Sequence, residues 1–514
     1  MSKLPSGGPL PAAPAGSAPG GDIAALAKGG RTNFLGFLLR LAGMLPFLFI
    51  AGRLYGPDAL GRYASALVVV EIVGLICSMG EKRGLAQRLT EDADTHPANI
   101  VFDGMLVATA TGLVAAAFFW LVPAPMFPSG EYTLLDKLIV LAIPGYALTE
   151  IVLAAQAYRF DIATTVRARS LVLPWTLSIL AGGLWFIVPE SGLSLAYLGS
   201  TFAGLATGLW SFLRTYGLPK GWRPRPGEMA RMTLRALPLA TADAIEWGTR
   251  RLDIFILGLF AAPSAVGIYY VAQQVASLPQ KLKTSFEPIL GPVITRALKD
   301  KDYAAIAKQV CQVGFWITAA QAGVALALGI PGQAIMGLVG PTFVGGTGAL
   351  GFLLAAEVVA ATAVVSEAAL IYVARIKNLA VSVATIGLQA ALTVAAMIVV
   401  KDYGLPEGWM AAAAAAALMV TLGVSSVIKA VMLSRILQRP INNWRWALVW
   451  AAAAAILVGQ VAIRLPEWAE LIFGIPAILG VYGWIIWRRG FGPEDRVLFR
   501  RHHDDISTAG AQER

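Results

Sequence analysis

Residues 53–64 read Arg53-Leu54-Tyr55-Gly56-Pro57-Asp58-Ala59-Leu60-Gly61-Arg62-Tyr63-Ala64, and the pattern Ala-(Leu/Val)-Gly-x-Tyr returns in Gly258-Leu259-Phe260-Ala261-Ala262-Pro263-Ser264-Ala265-Val266-Gly267-Ile268-Tyr269-Tyr270. Gly267 follows Gly61 by 206 positions, and each copy comes after a long apolar span. The offset covers six such spans. An even number keeps both copies in the same orientation, which predicts parallel repeats about an axis normal to a membrane.

Composition agrees with a lipid environment. Of 514 residues, 57% are hydrophobic and 14% charged, against about 25% charged in ordinary soluble domains. Apolar stretches predict spans at 33–54, 62–84, 100–122, 134–156, 170–188, 193–213, 236–260, 265–288, 309–330, 347–372, 380–400, 410–433, 446–464 and 468–487. Each approaches the roughly 20 helical residues that cross a bilayer core. Strands are excluded because barrel spans are about ten residues of strict alternation, whereas Met410 to Val427 is an almost unbroken run of Ala, Leu and Val. The expected fold is an all-α integral membrane protein of about fourteen helices, arranged as two parallel six-helix lobes plus two C-terminal helices.

The expected organisation is a disordered cytoplasmic tail over 1–32, an N-lobe over 33–216, an inter-lobe linker over 217–235, a C-lobe over 236–435, a final helix pair over 436–487 and a basic cytoplasmic tail over 488–514. The first thirty residues lack the apolar centre of a secretory signal. Cys77 and Cys311 offer neither a disulfide framework nor zinc spacing, and His96, His502 and His503 lie in a loop and the tail, so no metal or cofactor is expected. Lys and Arg divide unevenly, about 33 on the side of the termini, about 5 opposite and about 3 within spans; the positive-inside rule makes that side cytoplasmic. This sidedness accounts for the net charge of +10 without nucleic acid. Trp120, Tyr132, Trp444, Trp446, Trp468, Trp484 and Trp487 read as an interfacial belt. The final tail, Arg488 to Arg501, reads as a solvated flank of the last span or as a contact for anionic headgroups.

The segment after the first span, with Gly291-Pro-Val-Ile-Thr-Arg296 and Gly337-Leu-Val-Gly-Pro-Thr-Phe343, resembles the Wzx-type oligosaccharide flippases. These belong to the multidrug/oligosaccharidyl-lipid/polysaccharide (MOP) exporter superfamily, with the MATE multidrug exporters and the lipid II flippase. The resemblance covers roughly 33 to 435. It implies a MATE-like V-shaped pair of lobes around a cavity, moving a polyprenyl-diphosphate-linked oligosaccharide across the inner membrane for exopolysaccharide or lipopolysaccharide biosynthesis. The implied partners are membrane lipids, the lipid-linked oligosaccharide, and a polysaccharide polymerase with chain-length or export proteins.

Within the seventh span, Asp243, Glu246, Arg250, Arg251 and Asp253 place five ionisable groups in eleven positions. At about 100° per residue all but Arg251 fall within roughly 80° of one another. Each central charge costs about 2.5–3.5 kcal/mol to insert, so this face must meet water or protein. Arg40, shifted by the repeat offset, falls on Glu246, with Asn33 on the same face and Glu71 near the middle of the second span. Arg40, Arg250 and Arg251 are candidates to receive a diphosphate through their guanidinium forks. Glu71, Asp243, Glu246 and Asp253 are candidates to line the cavity, hold those arginines or carry a coupling ion. The alternative is that Glu246 pairs with Arg250 along the helix and the others act as packing glue. Glu357 and Glu367 in the tenth span are further cavity candidates, whereas Glu150 and Gln156 at the end of the fourth span and Gln273 and Gln274 in the eighth read as structural or rim residues. No catalytic group is expected. Two other functions compete, a multidrug or cation antiporter of the same fold and a membrane glycosyl polymerase or ligase. The bare outer loops disfavour the polymerase or ligase, and the arginines disfavour a cation antiporter.

Overall fold

The computed structural model describes residues 42–91, 95–159, 161–224, 251–283, 302–406 and 408–492, together with Leu39, Gly227, Met229, Gly248, Ile294, Leu298 and Asp495. Every described element is helical. In chain order the main helices are α1 (42–55), α2 (Gly56–Cys77), α3 (Pro97–Leu121), α4 (Ala142–Tyr158), α5 (Leu173–Trp185), α6 (Gly192–Thr215), α7 (Leu252–Phe260), α8 (Pro263–Lys283), α9 (Tyr303–Gly329), α10 (Thr347–Val373), α11 (Arg375–Asp402), α12 (Gly408–Leu437), α13 (Trp446–Ala462) and α14 (Ile475–Ile485). By length and composition, eight helical runs among the described residues can cross a membrane, and Trp446–Ala462 is a shorter apolar helix.

One of those runs, Ala42–Cys77, holds 36 residues and would reach about 54 Å as a single rod, well beyond the roughly 30 Å of a bilayer core. It is two rods. Gly56 has φ 77° and ψ −179°, a region open essentially to glycine alone, and Pro57 then opens α2 at a position where a missing N–H costs nothing. The tight Tyr55-Gly56-Pro57 junction therefore separates the first two spans expected from the sequence.

Within the first half, α2 packs on α4, α4 on α3 and α6, and α5 on α6; within the second, α10 packs on α12 and α9, and α11 on α12. The halves meet chiefly through α2, α7, α8 and the 3-10 turn Pro341–Gly346. There the two motif copies touch each other. A Cβ on Gly61 would overlap the Pro263 carbonyl and lie 3.0 Å from the Gly267 nitrogen, and one on Gly267 would overlap the Pro57 carbonyl and lie 3.0 Å from the Gly61 nitrogen. Each copy puts a proline in the first turn of its helix and a glycine four residues on, so backbone meets backbone at the crossing. The small residue is required by contact across the repeat, which is why the pattern recurs.

α13 and α14 pack on each other, and α14 covers α9, where the Tyr482 ring lies 3.0 Å from the Cβ position of Gly323. Beyond α14, Asp495 is buried rather than solvated, which departs from the flank expected of this tail. Its carboxylate accepts from Arg445 Nη1 at 2.7 Å, Gly492 N at 2.9 Å, Gln312 Nε2 at 3.0 Å and Trp316 Nε1 at 2.9 Å. Burial alone would raise this carboxyl, but the Arg445 and Gly492 hydrogen bonds, with Gln312, hold it below the usual range. A depressed folded value means that the stabilisation is complete above the unfolded value of about 3.9 and is lost as pH falls through the folded value. Thermal stability in detergent should therefore exceed that of Asp495→Asn across neutral pH, with the gap closing only below about pH 4. A gap that instead closes between neutral pH and about pH 5 would contradict this pairing.

Candidate functional site at the junction of the two halves

A polar network runs through the apolar contact between α2 and α8. In the second half, Asp253 is fully buried in the first turn of α7. Its carboxylate accepts from the Tyr269 hydroxyl, from Ile254 N at 2.9 Å and from Gln273 Nε2 at 3.2 Å. Gln273 in turn accepts from Arg251 Nη1 at 2.9 Å, so one α8 amide holds the arginine and the carboxylate together. In the first half, Tyr197 of α6 donates to Glu71 Oε1 at 3.3 Å. Tyr63 joins the two sets. Its ring centroid lies 6.0 Å from that of Tyr197 and 6.1 Å from that of Tyr270, edge-on to both. A buried polar group needs its partners close, and here the repeat tyrosines Tyr63 and Tyr269 help to supply them.

The expected charged face of the seventh span is corrected in one respect. It assumed an unbroken helix from Asp243 to Asp253, but Arg251 has φ −130° and ψ −2°, outside helical dihedrals. Helix α7 begins only after Arg251, and Arg251 and Asp253 both meet Gln273. Glu71, Arg251 and Asp253 are thus brought to one junction. Asn33, Arg40, Asp243, Glu246 and Arg250 lie outside the described residues.

Glu367 does not join this network. It pairs at 2.9 Å with Lys429 of α12, whose Nζ also reaches Ser382 of α11 at 3.3 Å. Lys429 is buried and was not singled out from the sequence, although a lysine between Ile428 and Ala430 inside an expected span is a signal of the same kind as Arg251. Glu357 sits half-buried on α10, ten residues before Glu367. The pairing predicts an asymmetry. Glu367→Ala strands a buried ammonium and should cost about 3–5 kcal/mol, whereas the double change Glu367→Leu with Lys429→Met should be close to neutral; denaturation of the purified variants measures both. Glu150 is buried against Arg169, in line with a structural role, and Gln156 is buried with no side-chain hydrogen bond among the described residues.

At the end of the bundle that carries Gly56, Pro128 and Gly340 the junction is closed. Arg53 donates to the Leu338 carbonyl at 3.1 Å, and the Cβ position of Gly258 lies 3.2 Å from Ser65 Oγ. A gap lined by Arg62, Ser65, Phe127, Pro128, Gly258 and Pro263 holds about 10 Å³, room for about one water molecule. Among the described residues no group of three or more His, Cys, Asp or Glu side chains could hold a metal ion.

The sequence model of a family described as polysaccharide biosynthesis protein matches residues 50–319, more than half of the chain and both copies of the motif. The chain belongs to this family. Among solved structures, it is similar to the lipid II flippase MurJ in an inward closed conformation, at 11% identity and TM-score 0.65 over 91% of this chain and 99% of that one. It is also similar to an inward-facing multidrug resistance MATE family transporter of the MOP superfamily, at 13% identity and TM-score 0.64 over 78% and 99%. An outward-facing MATE structure gives 13% identity and TM-score 0.54 over 80% and 96%. At these identities the likeness is one of fold. No curated protein matches. The chain is thus a polysaccharide biosynthesis family protein, with helices long and apolar enough to cross a membrane, in a fold shared with MurJ and the MATE transporters.

Proposed function

We propose that this member of the polysaccharide biosynthesis protein family flips a polyprenyl-diphosphate-linked oligosaccharide from the cytoplasmic to the outer leaflet of the inner membrane. The observation that carries this reading is the network of Arg251, Gln273, Asp253 and Glu71, with its tyrosines, where the two halves of a transporter meet. Charge placed there has a purpose in moving a polar headgroup that lipid alone would reject. With Arg40 and Arg250, Arg251 receives the diphosphate, and the carboxylates hold the arginines between turnovers. The end closed by Gly61 and Gly267 is the outer one in this reading, both termini are cytoplasmic, and the halves correspond to lobes over 33–216 and 236–435. A polymerase and chain-length or export proteins then use the flipped product.

Deletion of the gene tests the proposal. Lipid-linked intermediates should accumulate on the cytoplasmic face and polysaccharide output should fall. Unchanged intermediates together with altered drug sensitivity would assign the chain to the exporters of the same fold instead.

A further inference from the structure

One turn beyond the shared tyrosine the two motif copies differ in kind. Gln273 follows Tyr269 by four residues on α8, and the residue 206 places earlier, four after Tyr63 on α2, is Leu67. Leu67 is buried in the apolar contact between the halves, whereas Gln273 is half-buried. A leucine serves the crossing of α2 and α8 in one copy, so the amide in the other answers to something besides the crossing.

It answers to the two charges at the start of α7. Gln273 Nε2 donates to the Asp253 carboxylate, 3.2 Å from Oδ2 and 3.4 Å from Oδ1, and Oε1 accepts from Arg251 Nη1 at 2.9 Å. Only one orientation of the amide serves both neighbours. A guanidinium has donors alone and a carboxylate acceptors alone, so a flipped amide would set like against like on each side. Asp253 is itself fixed by the Tyr269 hydroxyl and the Ile254 N–H. The amide is therefore anchored at one end on a buried carboxylate and grips Arg251 with the other.

Arg251 and Asp253 are two residues apart, and a guanidinium beside a carboxylate tends to take it directly, in two parallel hydrogen bonds that use both charges. The Gln273 amide stands between the two and gives the arginine a neutral acceptor. Such an acceptor fixes the direction of the guanidinium without holding it as tightly as an anion does, so an incoming phosphate can compete for it.

We propose that, with Arg251 receiving the diphosphate as proposed above, Gln273 is its positioning residue: the amide aims Arg251 at the headgroup of the cargo and keeps it from closing on Asp253. The full-length protein is reconstituted in proteoliposomes with a fluorescent polyprenyl-diphosphate saccharide, and initial flipping rates are measured against the mole fraction of that lipid. Gln273→Met keeps the length of the side chain without its donor and acceptor, and Gln273→Leu installs the residue of the first copy. In each, the half-saturating fraction should rise roughly tenfold while the maximal rate per folded molecule changes little. A side chain that only packs would lower the maximal rate and leave the half-saturating fraction where it is. That result would overturn the proposal, as would native kinetics in both variants.

Arg251→Ala supplies the second arm. A residue that acts through Arg251 has nothing further to lose once the arginine is gone, so adding Gln273→Met to Arg251→Ala should leave the kinetics of Arg251→Ala unchanged. A double loss equal to the product of the two single losses would overturn the positioning role. Native kinetics in Arg251→Ala would reject the diphosphate reading itself and the inference with it. Impaired Arg251→Ala beside native Gln273→Met and Gln273→Leu would reject the positioning role alone.

Discussion

Gly61→Ala and Gly267→Ala are each expected to abolish polysaccharide output while leaving the protein in the membrane. The added methyl meets the carbonyl of Pro263 in one case and of Pro57 in the other. Backbone in the first turn of a helix cannot step aside as a flexible side chain can, so α2 and α8 must separate. Overpacking of this kind costs about 1–3 kcal/mol and occasionally more, and the upper part of that range shifts a two-state equilibrium roughly a hundredfold. The penalty falls on the state in which the motif copies touch. In alternating access, loss of one closed state halts the cycle even when the other is intact. A disulfide between Ser65→Cys and Gly258→Cys, with the native cysteines replaced by alanine, reads closure at this end, because Ser65 already lies against Gly258. Cross-linking should drop sharply in both glycine variants. Gly183→Ala serves as the control, since no atom lies within 4 Å of its Cβ position. Normal output and unchanged cross-linking in Gly61→Ala would mean that the glycine contact does not control the cycle.

The same contact shows how far sequence reading reaches. Gly61 and Gly267 were visible as a repeat because the fold demands the same small residue twice, at positions that touch. Span positions were legible because lipid imposes its thickness on apolar runs. Side-chain meetings were legible only where helical geometry is regular. Asp253 and Arg251 were seen as charges out of place, but their common partner Gln273 depends on the non-helical backbone at Arg251, which no periodicity encodes. Tyr63 reads as part of a motif, and its place between the rings of Tyr197 and Tyr270 follows from how α2, α6 and α8 cross. Glu367 reads only as a possible cavity residue, and its partner Lys429 lies sixty-two residues away on another helix. A lysine and a glutamate on different spans carry no mark in the sequence that they pair.

Arg251 and Asp253 should separate into a residue that carries transport and a residue that holds the structure. Asp253 is fully buried and accepts from Tyr269, Gln273 and the Ile254 N–H. Asp253→Ala removes every acceptor at once and leaves the neighbouring Arg251 without its nearby negative charge. Breaking a buried charged arrangement in this way costs about 3–5 kcal/mol, a large part of the stability of any domain, so little folded protein should be recovered. Asp253→Asn keeps the shape and one acceptor oxygen and should recover more. Tyr269→Phe leaves one carboxylate oxygen without its hydroxyl donor and should cost about 1–3 kcal/mol.

Arg251 differs because it is only half-buried, so its charge stays within reach of water or a ligand. Arg251→Ala leaves Asp253 with its Tyr269, Gln273 and Ile254 donors and should lower folded yield less than Asp253→Ala does, while transport per folded molecule falls by at least tenfold, the loss of about one or two charge-assisted hydrogen bonds to a phosphate. Arg251→Lys keeps the charge without the planar fork and should restore only part of the activity. Folded yield is read by fluorescence-detected chromatography, and transport by the surface polysaccharide formed per folded molecule. Full transport in Arg251→Ala would remove this residue from the path of the diphosphate and leave it, like Asp253, as part of the frame between the two halves.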